Sequence, residues 1–171
     1  TAVKGAVREG AGWQIELQGK TTSRIQADVV LVAAGIIGNF EDLGLEKTAI
    51  KIEKTHIVTD QFCQTQEPGI YAIGDVAGPP WLAHKASHEG ATVAESIAKE
   101  LGNKEVHPHP LDRNAIPGCT YCHPQIASVG MTEAKAKEAG YTVKVGNFPF
   151  IGNGKAIALG EAEGFVKTVF D

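Results

Sequence analysis

The chain has 171 residues, of which 43% are hydrophobic and 21% charged, and its formal net charge is −4. This ordinary globular composition suits one domain or two small lobes, and it lacks the basic excess that favours nucleic-acid binding. No apolar run has the length that crosses a bilayer, and residues 1–12 do not resemble a signal peptide. Three cysteines, an odd number, argue against a secreted disulfide scaffold, so a soluble, intracellular, reducing setting is expected.

Residues 1–28 are predicted to form short strands and turns. Trp13, Ile15 and Leu17 alternate with polar residues, which is the period of a half-buried strand. Residues 29–34, with the sequence VVLVAA, are apolar at every position and end at Gly35. Such a run is typical of a strand that is buried on both faces in a parallel sheet.

A second buried strand is predicted over residues 70–73, where it is followed by Gly74 and Asp75. Apolar residues at three- and four-residue steps then predict a helix from about Leu82 to Leu101, with Gly102 as its C-cap. Residues 103–110 contain two prolines and are interpreted as a linker.

The remaining residues are predicted to form a different, small α+β lobe. Thr132 is expected to cap a helix that ends at Gly140. Strands are predicted around this helix, at residues 125–129, 141–145, 155–159 and 165–170. The last of them still alternates where the sequence stops, and an exposed apolar edge strand is unusual, so a truncated lobe is expected.

The residues with chemical potential follow the strand over residues 70–73. Ligands of open parallel sheets bind at the carboxyl ends of the strands, where Gly74 and Asp75 lie. A glycine permits close approach to the backbone, an aspartate accepts hydrogen bonds from sugar-like hydroxyls, and the N-terminus of the next helix favours negative charge. Asp75 could equally cap a turn in an ordinary crossover, and the pattern alone does not separate the two interpretations.

Several motifs, in order along the whole chain, resemble one family. Residues 65–75, TQEPGIYAIGD, resemble the second flavin-binding motif of the FAD-dependent pyridine nucleotide-disulfide oxidoreductases, and residues 32–35, VAAG, resemble the motif that closes their pyridine-nucleotide domain. Within this family, the dihydrolipoamide dehydrogenases are the most similar branch. The segments that carry this likeness are residues 81–86 (WLAHKA), 88–90 (HEG), 117–125 (PGCTYCHPQ), 128–130 (SVG) and 146–150 (GNFPF).

The resemblance implies a fold and a set of binding residues. The nucleotide-binding part would be α/β, with pieces of two Rossmann-like domains, followed by a truncated α+β dimer-interface domain. Residues 1–38 would end the NAD domain, 39–110 would belong to the FAD domain, and 111–171 would begin the interface domain. Gly35 would approach NAD, and the FAD contacts would come from Gly74, Asp75, Trp81, Leu82, Ala83 and His84. Trp81 stands where methionine is expected, and the arginine that often follows Gly35 is missing.

The resemblance also implies an activity for the parent protein. It would oxidise dihydrolipoyl groups on the lipoyl domains of 2-oxoacid dehydrogenase or glycine cleavage complexes, through a disulfide and FAD, and reduce NAD. It would be a homodimer of the cytoplasm, or of the mitochondrial matrix in a eukaryote, without nucleic-acid or membrane partners. No G-x-G-x-x-G and no Cys-x4-Cys occurs in these residues, and the family's acid–base His-Glu pair has no counterpart. The segment is therefore expected to be inactive alone and to contain no catalytic residue.

Other interpretations stay open. The segment could be a non-catalytic interaction module derived from the same family. Cys119, Cys122 and His123 match the C-x-x-C-H pattern of c-type haem attachment, although they could also form a redox pair or half a zinc site. A buried strand cysteine is the preferred explanation for this segment. His84 and His88 have metal-chelating spacing but no evident third ligand, so no metal site is expected.

Overall fold

The computed structural model describes all 171 residues, and they divide into two compact units, Thr1–Ile37 and Gly38–Asp171. In the first unit, β1 (Ala2–Glu9), β2 (Gly12–Gln18) and β3 (Thr22–Ala27) form an antiparallel sheet in that order. The predicted alternation of β2 is confirmed, because Ile15 is buried between its antiparallel neighbours on β1 and β3.

The buried strand predicted over residues 29–34 does not form. These residues join no β-ladder, and Leu31 is 88% exposed. An apolar run becomes a buried strand only where neighbouring strands satisfy its backbone N–H and C=O groups and cover its faces. No strand of the chain pairs with it, so the prediction is wrong for this structure. Gly35 follows this segment, is exposed and has a φ of +131°.

The second unit begins with short elements that lead to the longest helix. The strands β4 (Ile52–Glu53) and β5 (His56–Ile57) form a two-residue antiparallel ladder. A 3-10 turn over Gly74–Ala77 precedes α1 (Ala83–Glu100), which confirms the predicted helix. Leu101 is its C-cap, and Gly102 follows with a φ of +97°.

The strand predicted over residues 70–73 is also wrong. Only a single bridge joins Tyr71 to Gln64, and the backbone N–H of Ala72 donates to the carbonyl of Cys63 over 3.0 Å. These hydrogen bonds join the segment to a neighbour along one edge only, so it does not form a central strand of a sheet. Ala72 is buried, whereas Ile70 and Ile73 are each about two-fifths exposed.

The last part of the second unit is a small α+β region. Its strands pair antiparallel, β6 (Gly118–Thr120) with β7 (Ile126–Ser128) and β8 (Lys144–Pro149) with β9 (Phe165–Phe170). The strands predicted at 125–129 and 165–170 are therefore confirmed, whereas the strand predicted at 141–145 begins only at Lys144 and runs to Pro149.

Two short helices complete this region, α2 (Glu133–Glu138) and α3 (Gly154–Leu159). Thr132 caps α2 as predicted, because its hydroxyl accepts the backbone N–H of Lys135 over 3.3 Å. The strand predicted over residues 155–159 is wrong, because these residues form α3. The side chain of Asn153 accepts the N–H groups of the first turn, and Gly160 ends the helix with a φ of +71°.

Candidate functional site

The Gly74–Gly78 turn, which contains Asp75, lies directly before α1. Gly74 has a φ of +73°, and a Cβ on it would stand 3.3 Å from the Cβ of Ala86. Glycine is therefore favoured at this position for two reasons, the left-handed backbone and the close contact with the helix. The backbone N–H of Gly78 closes the turn on the carbonyl of Asp75 over 3.1 Å.

Two charged side chains of α1 hold this turn. The Lys85 ammonium group donates to the carbonyls of Gly74 and Gly78, over 3.0 and 2.8 Å, and lies 3.1 Å from Glu89 Oε1. Glu89 Oε2 accepts the backbone N–H of Gly74 over 2.8 Å. Lys85 is 1% exposed and Glu89 5% exposed, so both charges are buried. We name these two residues the Lys85–Glu89 pair.

The Asp75 carboxylate is exposed, and the bonds that hold the turn come from the Lys85–Glu89 pair and the backbone. The interpretation of Asp75 as a turn cap is therefore wrong in this structure. An exposed carboxylate without structural duty is available to accept hydrogen bonds from a ligand's hydroxyl groups.

The N-terminus of α1 offers donors beside this turn. Leu82 is the N-cap and no side chain caps the helix. The N–H groups of the first turn have no acceptor within the helix, since its backbone bonds begin with Ala86 donating to Leu82 over 3.2 Å. Ala83 and His84 are exposed. Free N–H groups and the positive end of the helix dipole together favour a polar or anionic group.

Trp81 and His84 are both fixed by hydrogen bonds. The indole N–H of Trp81 donates to Nε2 of His56 over 3.1 Å, and the two rings stack with centroids 5.9 Å apart. His84 Nε2 lies 2.9 Å from the carbonyl of Pro117, so this nitrogen carries the proton. The structure therefore brings Gly74, Asp75 and residues 81–84 together along one short stretch of unit 2.

The sequence pattern does not mark the Lys85–Glu89 pair as a feature of its own. The two residues have the i, i+4 spacing of an exposed helical pair, which gives no reason to expect burial. A usable signal was their position among the small and apolar residues Ala86, Gly90 and Val93, on a helix that follows a Gly-Asp turn.

The cysteines do not have the environment that was expected. Cys119 lies on β6, yet it and Cys122 are exposed, so the preferred explanation as buried strand cysteines is wrong. Cys122 Sγ lies 3.0 Å from the carbonyl of Pro124. Cys63 is the buried thiol, and burial raises its pKa to about 11. No three His, Cys, Asp or Glu side chains converge as metal ligands, and no helix combines the length and the apolar character of a membrane span.

Comparison with known proteins identifies the family to which the chain belongs. The profile of the pyridine nucleotide-disulphide oxidoreductases matches residues 1–90, and the profile of the dimerisation domain of the same family matches residues 116–171. The chain belongs to the pyridine nucleotide-disulphide oxidoreductase family.

Within this family, the chain is similar in sequence to several dihydrolipoyl dehydrogenases. The chain is 52% identical over 168 residues to a dihydrolipoyl dehydrogenase of Rhizobium etli, with 96% of this chain and 34% of the relative covered. It is 57% identical over 141 residues to a dihydrolipoyl dehydrogenase of Zymomonas mobilis, with 82% and 29% covered. The chain thus spans about a third of the length of these relatives.

A solved structure shows the same fold. The crystal structure of LpdA from Mycobacterium tuberculosis superposes with a TM-score of 0.83 at 24% sequence identity, over 98% of this chain and 35% of that one. The family and this likeness confirm the predicted fold class, mixed α/β with an interface domain, although the strands predicted at residues 29–34, 70–73 and 155–159 do not form here. The relatives do not favour the haem-protein or interaction-module alternatives.

Proposed function

We propose that these 171 residues are part of a dihydrolipoyl dehydrogenase, and that the Gly74–Gly78 turn with the N-terminus of α1 forms one side of its FAD site. The observation that supports this is the exposed Asp75 carboxylate beside the uncapped start of α1. These groups suit a dinucleotide, because the carboxylate accepts from hydroxyl groups and the helix N–H groups donate to negative or partly negative atoms.

Each FAD-binding residue then has a distinct role. Gly74 and Asp75 would contact the ribityl or phosphate region of the cofactor. Trp81, Leu82, Ala83 and His84 would line the flavin through backbone groups, where the helix dipole stabilises a reduced, anionic ring. When bound, FAD would supply the two-electron redox chemistry between the enzyme's disulfide and NAD. The hydrogen bond from Trp81 to His56 keeps the indole in place, so that tryptophan is compatible with this backbone role.

The other binding assignments follow the same proposal. Gly35 would approach NAD, and its φ of +131° is a conformation that glycine adopts readily. Residues 1–38 would belong to the NAD domain, 39–110 to the FAD domain and 111–171 to the interface domain, through which the parent protein forms a homodimer. The match of the dimerisation-domain profile to residues 116–171 supports this last assignment.

The substrate would be a dihydrolipoyl group carried by lipoyl domains of 2-oxoacid dehydrogenase or glycine cleavage complexes. We place the protein in the cytoplasm, or in the mitochondrial matrix of a eukaryote. The names of the relatives support the reaction, and the free thiols of all three cysteines are in keeping with a reducing compartment.

The test uses the full-length polypeptide that contains these residues. We expect it to show a flavin absorption band that bleaches on addition of dihydrolipoamide, and to reduce NAD. Asp75→Ala should weaken FAD binding, whereas Glu95→Ala, which removes an exposed carboxylate elsewhere on α1, should not. A protein that binds FAD but reduces only glutathione disulfide or mercuric ion would refute the dihydrolipoyl assignment. A flavin-free dimer would favour the interaction module.

A further inference from the structure

The Lys85–Glu89 pair is the most deeply buried charged group of the chain, and both side chains have bonding partners. The Lys85 ammonium group donates hydrogen bonds to the carbonyls of Gly74 and Gly78, and it lies 3.1 Å from Glu89 Oε1 as an ion pair. Both carboxylate oxygens of Glu89 are also used, one by Lys85 and one by the N–H of Gly74. A buried lysine without such partners would lose its hydration at a large cost.

The bonds of the pair end on backbone atoms at the two ends of one turn. Gly74 uses both its N–H and its carbonyl in bonds to the pair, and Gly78 uses its carbonyl. Asp75 lies between them and shares none of these bonds. The backbone that carries Asp75 is therefore held by side chains 10 and 14 residues later, on α1.

Net stability is a weak reason for such an arrangement. Replacing a buried ion pair by apolar side chains of similar size is often neutral or stabilising, because burying the charges costs about as much as their attraction returns. An apolar pair could fill the same volume, but it could not bond the Gly74 N–H and the two carbonyls. The distinctive contribution of Lys85 and Glu89 is the conformation of the turn.

We infer that Lys85 and Glu89 are positioning residues for FAD, which hold the Gly74–Gly78 turn so that Asp75 is in place before the cofactor binds. The inference rests on the proposed FAD site. Neither residue touches the cofactor; both act through the backbone of the turn. A preformed site avoids the entropic cost of ordering the turn on binding, and so raises the affinity.

The experiment measures FAD affinity directly, without turnover. The full-length protein is freed of FAD, and flavin is titrated back while its fluorescence quenching is followed. The variant is K85M/E89Q, which removes both charges together, leaves an acceptor for the Gly74 N–H, and leaves the two carbonyls without their donor. We expect its FAD dissociation constant to rise by about tenfold to a hundredfold.

The matched control is K137M/E133Q. Lys137 and Glu133 have the same spacing on α2, at 2.7 Å, but they are exposed and far along the chain from the turn. This control should bind FAD as the unchanged protein does. K85R, which keeps the charge and donors, should bind FAD more tightly than K85M/E89Q.

A second measurement covers the case in which K85M/E89Q does not fold. Amide hydrogen exchange in the unchanged, FAD-free protein reports whether the turn is already held. We expect the Gly74 N–H to exchange slowly, as slowly as amides within α1. Exchange as fast as in an exposed loop would overturn the inference.

The outcomes separate this inference from the proposed function. If the unchanged protein binds FAD and K85M/E89Q, well folded, binds it equally, the positioning role is wrong and the FAD site stands. If the unchanged protein binds no FAD, the proposed function fails and the positioning role fails with it.

Discussion

The helices α1 and α2 carry the same chemical pair in opposite surroundings. Lys85 and Glu89 on α1 are four residues apart and buried, and they bond to the backbone of the preceding turn. Glu133 and Lys137 on α2 are also four residues apart, but they are exposed, and Glu133 binds a second side chain, Lys167 of β9.

The difference shows that the four-residue spacing brings the two charges of a helical ion pair together. Burial decides how much the pair contributes to stability and to the conformation of the backbone. At the exposed pair, water and salt screen the attraction, and the side chains lose entropy on pairing. At the buried pair, removing one partner leaves an uncompensated charge and unsatisfied backbone groups. The same two residue types therefore add little on α2 and fix a backbone turn on α1.

The most damaging single change is expected at the buried pair. Lys85→Met leaves the Glu89 carboxylate buried without its partner and deprives two carbonyls of a donor. We expect the free energy of unfolding of the chain to fall by about 3–5 kcal/mol, measured by urea denaturation. Lys137→Met on α2 is the control and should change it little. Equal effects of the two substitutions would contradict the difference between the helices.

The turn itself can be tested at two glycines. Gly74 and Gly69 both have a positive φ, near +73° and +78°, but only at Gly74 would a Cβ meet another atom, the Cβ of Ala86 at 3.3 Å. An alanine in the left-handed region costs about 1–2 kcal/mol. Gly74→Ala should therefore destabilise the chain more than Gly69→Ala, by about 1 kcal/mol in thermal or chemical unfolding. A smaller effect at Gly74 would show that α1 does not restrain the turn.

The start of α2 gives a smaller effect. Thr132 caps this helix through its hydroxyl, whereas no side chain caps α1. Thr132→Ala should cost about 1 kcal/mol of unfolding free energy, and Thr132→Ser, which keeps the hydroxyl, should cost less. If both substitutions cost the same, the hydrogen bond to Lys135 is not what the cap contributes.

The smallest effect is expected at Glu133, and it depends on pH. Hydrogen bonds from Lys137 and then Lys167 lower the pKa of Glu133 from an ordinary 4.5 to about 2. A lowered pKa in the folded state contributes stability above pH 4.5 and loses it as the pH falls toward 2. The small stability difference between the unchanged chain and Glu133→Gln should therefore shrink over this range. A difference that grows on acidification would contradict the ion pairs.

Local pattern predicted part of this structure well. The alternation around Ile15 identified β2, the apolar periodicity identified α1, and Thr132 marked the start of α2. These features depend on residues close in the sequence, so they are visible without the fold. The segment 155–159 was predicted wrongly because its apolar residues fit a strand as well as a helix. The Asn153 cap and Gly160 decide for the helix α3.

The apolar runs at residues 29–34 and 70–73 show what a local pattern cannot predict. A strand over residues 29–34 or 70–73 requires partners that are distant in the sequence, and the pattern of the run does not reveal whether they pair with it. At the candidate site, the motifs single out Gly74, Asp75 and residues 81–84, and the binding roles of these residues stay predictions.

The sequence by itself determined the family and the long helix α1, because motifs and helical periodicity are local properties. It also predicted the candidate site segment from Gly74 to His84. Only the tertiary structure decided that Lys85 and Glu89 are buried while Glu133 and Lys137 are not. Burial depends on what folds over a side chain, and in the case of Lys85 the covering element is the Gly74–Gly78 turn, whose carbonyls replace the water that a lysine would otherwise bind.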